Sequence, residues 1–337
     1  MDMYGNQTTT RNSTCFIYSD SWSFTVVPVY ILVISVLGII FNVFVLMVFY
    51  IHKNTWSVAE IYLSNLAAAD LILVSCLPFW AQNVAKQFNW PFGTSLCKLV
   101  NLCIAMNVYC SIYFLVLVSI DRYLALVYPL RFERLRSTTY AKVGCFLVWG
   151  FGLLMNIPVL IFREPLKYKY NSTKCILNYS NITEYNAVEG INIVFSFIIP
   201  ICIISFCTQK IIRALGNRLT EGFNTRKKEQ KATILVLVVL IAFLICWIPY
   251  HLLKILDVLR NNNILTGCPF KTSLYKSQMI FTYFAFFNSV LNPLLYVIVG
   301  KNFQNKVKEL FQQQNKKRTA TVSQAYARTN MTRVAQN

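Results

Sequence analysis

The sequence predicts an all-α membrane protein: a seven-transmembrane-helix bundle followed by a short amphipathic helix on the cytoplasmic surface. Three observations carry that prediction. The 337 residues are 56% hydrophobic and only 13% charged, with a mean hydropathy of +0.48, which is too apolar for an ordinary water-soluble chain. Seven stretches are apolar and continuous enough to cross a hydrocarbon core of about 30 Å, a task that takes roughly 20 helical residues. Lys and Arg are concentrated between alternate stretches, which gives the bundle a direction.

The spans are 28–51, 58–85, 95–127, 141–162, 187–212, 232–259 and 274–299. Before them, residues 1–27 make a polar N-terminal arm without the basic start of a cleavable leader, so the first span is expected to act as an uncleaved signal-anchor. After them, residues 300–314 place Phe303, Val307, Leu310 and Phe311 at helical spacing with Lys opposite, a pattern suited to a helix lying on the inner leaflet. Residues 315–337 form a polar tail expected to be disordered, where Thr319, Thr321 and Ser323 offer phosphorylation sites. Continuous rather than alternating apolar runs argue against a β-barrel.

With the N-terminus outside, eleven of the 32 Lys and Arg face outward, leaving 21 on the inner side around 131–142, 210–231 and 301–333. The formal charge of +19 is thereby assigned to cytosol and anionic lipid. No basic stripe with interleaved aromatics marks a nucleic-acid partner.

Cysteine positions agree with this topology. Seven of the 11 lie well inside spans, whereas Cys15, Cys97 at the outer end of the third span, Cys175 and Cys268 fall on the outer face, an even set that predicts two disulfides with three possible pairings. The glycosylation acceptors Asn6, Asn12, Asn171, Asn178 and Asn181 fall on the same face; a sixth, Asn330, is in the tail.

Polar side chains inside apolar spans carry the functional signal. Asn42, Asp70, Asn107, Ser111, Asn288, Ser289 and Asn292 are spread over four segments. A single Asn there commonly satisfies a neighbouring backbone group, but a buried carboxylate needs donors or a cation. Oxygens grouped around Asp70 suit a sodium ion, or a water network that lets helices repack. Asp121 and Arg122 abut the long apolar run 111–130, where mid-membrane charges cost about 2.5 to 3.5 kcal/mol each, so they belong at a membrane edge or a protein interior. The two histidines, His52 and His251, are far apart and no nucleophile is paired with a base, so no enzyme is expected. A transporter or proton pump using Asp70 as a relay is a remote alternative; no Lys stands in the seventh span for a retinal Schiff base, and no internal repeat is visible.

Asn42, Ser64-Asn-Leu-Ala-Ala-Ala-Asp70, Asp121-Arg-Tyr123, Trp149, Pro200, Cys246-Trp-Ile-Pro249 and Asn292-Pro-Leu-Leu-Tyr296 stand one per span, in order. This ordered set resembles the rhodopsin-like G-protein-coupled receptors. The stretches 58–71, 77–93 and 118–130 are similar, more closely, to the bradykinin (kinin) receptors. Residues 106–109 and 231–239 look more like the constitutively expressed subtype, and Ala105 stands where the inducible subtype carries a Lys.

What the resemblance implies is a plasma-membrane receptor for a kinin-like peptide, signalling through a q-class G protein to phospholipase C and calcium. Arrestin and receptor kinases would act on the tail. It implies a ligand site from Trp80, Arg163, Tyr250, His251, Lys254, Asp257, Tyr275, Phe284 and Phe286, with Asp257 facing the peptide's first guanidinium. It implies a sodium site at Asp70, Asn107, Ser111, Asn288, Ser289 and Asn292, and no other cofactor or metal. It also implies a switch built from Asp121, Arg122, Tyr123, Glu229, Trp247, Pro249 and Tyr296. Arg122 and Glu229 are expected to lock the inner cavity, since Glu229 lies twenty residues before Pro249, five to six turns of helix.

The sequence departs from the family at three points. Thr208 replaces the usual fifth-helix Tyr, Tyr275 replaces the second acid near the third outer loop, and no Cys follows Cys268 for palmitoylation. Because Cys97 opens the third span beneath the loop that carries Cys175, these two are expected to pair, leaving Cys15 for Cys268. The outer face carries six acids (Asp2, Asp20, Glu164, Glu184, Glu189 and Asp257) against eleven bases, so long-range steering does not favour a cationic ligand. The alternative reading is therefore a receptor of the same class for another small peptide or for an anionic lipid or nucleotide.

Overall fold

A computed structural model describes residues 23–52, 56–128, 131–132, 136–167, 172–218, 226–299, 303–312 and 315. The helices are α1 (Ser23–Ile51), α2 (Val58–Ala85), α3 (Gly93–Val127), α4 (Thr138–Met155), α5 (Ile157–Phe162), α6 (Ile182–Ile193), α7 (Ile199–Arg218), α8 (Arg226–Asn261), α9 (Cys268–Val299) and α10 (303–312). A π turn, Val194–Ile198, joins α6 to α7 without a break. Seven helical stretches are long and apolar enough to cross a membrane: α1, α2, α3, α4 with α5, α6 with α7, α8, and α9. The expected spans are all present.

Several helices start earlier than their apolar stretches because a polar cap extends them. Ser137 Oγ accepts from Tyr140 N ahead of α4, and Asn181 Oδ1 accepts from Glu184 N at 2.9 Å ahead of α6, adding polar turns that hydropathy alone leaves outside. At α2 a capping box forms: Ser57 Oγ accepts from Glu60 N while Glu60 Oε2 accepts from Ser57 N at 2.8 Å.

Antiparallel strands β1 (Arg163–Lys167) and β2 (Thr173–Leu177) follow α5, with Pro165 opposite Cys175. A disulfide joins Cys175 to Cys97 in the first turns of α3, so the hairpin is held over one end of the bundle. Trp90 N donates to Thr173 O at 2.6 Å, and Thr173 N to Asn89 Oδ1 at 2.8 Å, fixing its outer edge. Burial holds the Lys174 amine below its ordinary range. Cys268 is also disulfide-bonded; Cys15 lies outside the described residues, as do Asn6, Asn12, Asn171 and the tail positions.

Two apolar cores stack along the bundle. One, near the disulfide, includes Trp80, Cys97, Cys175, Tyr275 and Phe286; the other reaches toward the opposite end through Phe114, Phe243, Trp247 and Tyr296 to Phe303 of α10. The Phe303 ring meets Phe44 and Phe49 edge-on, and Gln304 Nε2 donates to Val297 O and Ile298 O. Lys306 pairs by charge with Glu60 at 2.8 Å, without hydrogen-bond geometry at its nitrogen, and His52 faces Glu309 at 3.6 Å. In α10, Phe303 and Leu310 are buried while Phe311 is exposed.

Candidate ligand cavity and polar core

A cavity opens at the disulfide end, among α3, α5, β1, α6, α8 and α9. Of the residues expected at a ligand site, Arg163, Tyr250, His251, Lys254 and Phe286 line it. Trp80, Asp257, Tyr275 and Phe284 do not; Trp80 and Tyr275 are packed in the apolar core instead. The wall also holds residues that sequence reasoning left unassigned, chiefly Asn101, Tyr109, Glu189 and Asn192.

Arg163, the first residue of β1, is 2% exposed, and its Nη2 donates to Asn101 Oδ1 at 2.6 Å. Asn101 in turn donates to Cys97 O at 2.8 Å, so the disulfide and the guanidinium share one anchor. Across the cavity Lys254 Nζ donates to Glu189 Oε2 at 3.2 Å, an ion pair with side-chain exposures of 15% and 5%. Tyr109 Oη donates to Asn192 Oδ1 at 2.7 Å.

At the bottom of the cavity the Trp247 ring stacks on Phe243 and meets Tyr250 edge-on; the His251 ring stacks on Phe197 with centroids 4.8 Å apart. Both Trp247 Nε1 and His251 Nε2 are buried without a hydrogen-bond partner among the described residues. Buried polar atoms of that kind are expensive unless something satisfies them, and both belong to cavity-lining residues.

Asp257, one turn beyond Lys254, is 5% exposed. Its carboxylate pairs with Arg260 at 2.6 Å and accepts from Tyr185 Oη at 3.2 Å, both from within the chain. Near the same end, Asn178 Nδ2 donates to Glu164 Oε1 at 2.7 Å, and Asn181 serves as the α6 cap described above.

Midway along the bundle Asp70 is fully buried. Asn107 Nδ2 and Ser289 Oγ donate to its Oδ1 at 3.0 and 2.9 Å, Ser111 Oγ stands at 3.5 Å, and Asn292 Nδ2 donates to Oδ2 at 2.9 Å. Asn288 makes no hydrogen bond to Asp70; its Oδ1 is buried and unsatisfied, as are those of Asn292 and Asn42. Asn42 Nδ2 ties α1 to α9 by donating to Ser289 O at 2.9 Å. Hydroxyl, amide and carboxylate oxygens in such a group fit a hard monovalent cation, and the orphaned amide oxygens point to a need for one or for water.

At the far end, Arg122 donates from Nε to Asp121 Oδ2 at 2.9 Å and from Nη2 to the same oxygen, while Arg136 Nε reaches Asp121 Oδ1 at 3.4 Å. Tyr123 meets Phe206 and Tyr128 edge-on, Tyr296 is buried, and Pro249 sits inside α8. The Glu229 side chain, expected to pair with Arg122, lies outside the described residues. Trp149 Nε1 donates to Asn65 Oδ1 at 3.1 Å, joining α4 to α2.

A helical bundle with a closed polar core and a cavity above a tryptophan at a proline-bearing helix is receptor architecture, and the match to known families agrees. Residues 41–296 match the family described as 7 transmembrane receptor (rhodopsin family), and the chain belongs to it. It is a multi-pass plasma-membrane receptor rather than an enzyme. Within that family the chain belongs with the bradykinin receptors. It is 43% identical to the human B2 bradykinin receptor over 294 residues, which covers 86% of this chain and 75% of the relative. The guinea-pig (Cavia porcellus) B2 bradykinin receptor gives 43% over 294 residues, or 86% and 79%. The human B1 bradykinin receptor gives 38% over 312 residues, or 89% and 86%.

Proposed function

We propose that this receptor binds a kinin-like peptide at the disulfide end, that this end and the N-terminus are extracellular, and that the occupied receptor activates a q-class G protein. The observation that carries the reading is the cavity itself: cationic Arg163 and Lys254 share its wall with the aromatic rings of Trp247, Tyr250 and Phe286. Such a lining suits a short peptide with aromatic side chains and a carboxylate. Similarity to the bradykinin receptors supports the peptide class, and positive-inside bias supports the orientation.

Ligand pressure on Trp247 reaches α8 at Pro249, which lacks the backbone N–H of an ordinary helical residue and so allows a hinge. Two states of the bundle then differ at the Arg122 end, with arrestin and receptor kinases acting on the tail once the active state is reached. Sodium in the Asp70 group would favour the resting arrangement. Asp70, Asn107, Ser111, Ser289 and Asn292 would hold it, supplying a compact charge that the carboxylate balances. Raising sodium should weaken agonist affinity, and Asp70→Asn should abolish that dependence; an unchanged sodium response in the variant refutes the site.

Calcium imaging of transfected cells against kinin peptides, other small peptides, nucleotides and lysophospholipids tests the central reading. A response to kinins alone is expected. If only nucleotides or lysophospholipids evoke calcium, the cationic lining serves an anionic ligand of a different class and the kinin reading fails.

A further inference from the structure

Cys76 of α2 and Cys103 of α3 meet across the seam between these two membrane-spanning helices, and neither lines the ligand cavity. Their thiols hydrogen-bond to each other, and both are free and only partly buried. Ile72, four residues before Cys76, is 40% exposed, and Leu99, four residues before Cys103, is 53% exposed. Side chains four apart share a helix face, so these apolar neighbours place the thiol pair on the side of the seam turned to acyl chains. Of the other free cysteines, Cys110, Cys145, Cys207 and Cys246 are buried and Cys202 is exposed.

We propose that Cys76 and Cys103 form a modification site open to the lipid, at which an organic hydroperoxide oxidises the two thiols to a disulfide that ties α2 to α3. One sulfur attacks the outer oxygen of the peroxide. The O–O bond breaks, the organic alcohol leaves with that thiol's proton, and the cysteine becomes a sulfenic acid. The neighbouring thiol then attacks the oxidised sulfur; an S–S bond forms and the hydroxyl leaves with the second proton as water. Two electrons pass from the sulfurs to the peroxide, so two thiols and one hydroperoxide give one disulfide, one alcohol and one water. The existing hydrogen bond sets the second sulfur beside the first, where it captures the sulfenic acid ahead of further oxidation. An apolar hydroperoxide reaches this face through the bilayer, whereas the buried cysteines are shielded from it by packing.

The site matters because of what lies beneath it. Asp70 is six residues before Cys76 and Asn107 four residues after Cys103, so the bridge closes one to two helical turns above the Asn107 hydrogen bond to Asp70 at 3.0 Å. Oxidation fixes α2 against α3 in the arrangement that brings Asn107 and Ser111 to Asp70. The proposal does not depend on the identity of the ligand.

The test uses full-length tagged receptor in vesicles of saturated phospholipid, which carry no peroxide of their own, treated with cumene hydroperoxide or with hydrogen peroxide. Free thiols are then blocked with N-ethylmaleimide in denaturant, and the protein is digested without reduction and read by mass spectrometry. A peptide pair joined through Cys76 and Cys103 is expected, with Cys110, Cys145, Cys207 and Cys246 recovered as maleimide adducts and Cys97 still bonded to Cys175. Scaled to each peroxide's rate with glutathione in water, cumene hydroperoxide should form the bridge at least about tenfold faster than hydrogen peroxide. Treated wild type should melt a few degrees higher, and Cys76→Ala and Cys103→Ala should lack that shift. Recovery of Cys76 and Cys103 as separate adducts, oxidation of either to a sulfinic acid without a bridge, or no advantage for the apolar peroxide overturns the proposal. So does an unchanged melting temperature in a bridged sample. The deciding measurements are made on wild type, so misfolding of an alanine variant does not shield it.

Discussion

Asp70 and Glu189 are both carboxylates removed from solvent, 0% and 4% exposed, yet the bundle treats them in opposite ways. Among the described residues, Asp70 is surrounded by neutral donors on α3 and α9, four hydrogen-bonding side chains and no cation. Glu189 is balanced by one lysine on α8. The difference separates two uses of a buried charge. An acid held by neutral groups keeps its capacity for a diffusible ion and can exchange partners when helices shift. An acid held by a fixed cation has its charge cancelled in place, and here the pair ties α6 to α8 in the cavity wall.

The largest test of this contrast removes the frame around Glu189 and leaves the frame around Asp70. The disulfide spans a sequence separation of 78, a closure of the order of 4 to 5 kcal/mol in chain-entropy terms. Cys175→Ala should sharply lower surface expression and ligand binding, because the hairpin that carries Arg163 loses its tie to α3. The fraction that still reaches the surface should keep a sodium-dependent thermal stability, since no Asp70 contact involves the hairpin. Loss of both together would show that the two regions are not separable.

Next in size is Glu189→Ala, which leaves the Lys254 ammonium without its carboxylate in a half-apolar wall. A destabilisation of about 3 kcal/mol is expected, read as a lowered melting temperature in detergent. The double change Glu189→Gln/Lys254→Met should recover most of it. If the single variant melts like wild type, the pair is solvated and the contrast with Asp70 dissolves.

Asp70→Asn should cost less, about 1 kcal/mol, because the amide keeps the shape and still accepts hydrogen bonds through one oxygen. Its signature is instead the flattened sodium response. The smallest effect belongs to a third acid, Glu60, which faces Lys306 of α10 at 2.8 Å at the opposite end. Lys306→Met should change melting by less than about 1 kcal/mol while loosening α10, visible as faster amide exchange over 303–312. A large loss there would place this pair with Glu189.

The spans and the Asp70 group follow from residue pattern, because continuous hydropathy and polar residues in apolar runs are local signals. Charge pairing at the ligand end is less legible. Glu189 is an acid inside the expected fifth span, the same signal that singles out Asp70, but its place at the outer end of that span also groups it with the outer-face acids. Asp257, expected to face a ligand guanidinium, stands three residues before Arg260, a helical spacing that brings the two side chains together. That clue is in the sequence. The Lys254 partnership is not, since it joins residues 65 positions apart across two helices. Nor does hydropathy tell Trp80 and Tyr275, which enter the apolar core, from Tyr250 and His251, which face the cavity.

The π turn at Val194–Ile198 sets the helical phase of everything before it. A π turn holds about one residue more than an α turn, so winding it to α geometry with every residue kept would rotate α6 by about 100° against α7 and lengthen the span by about 1.5 Å. Pro200 and the lower half of that span would keep their neighbours, while Glu189, Tyr185 and Asn192 would swing off Lys254, Asp257 and Tyr109 together. One change of helical pitch would thus unseat the charge pattern of the ligand end without touching any residue that forms it.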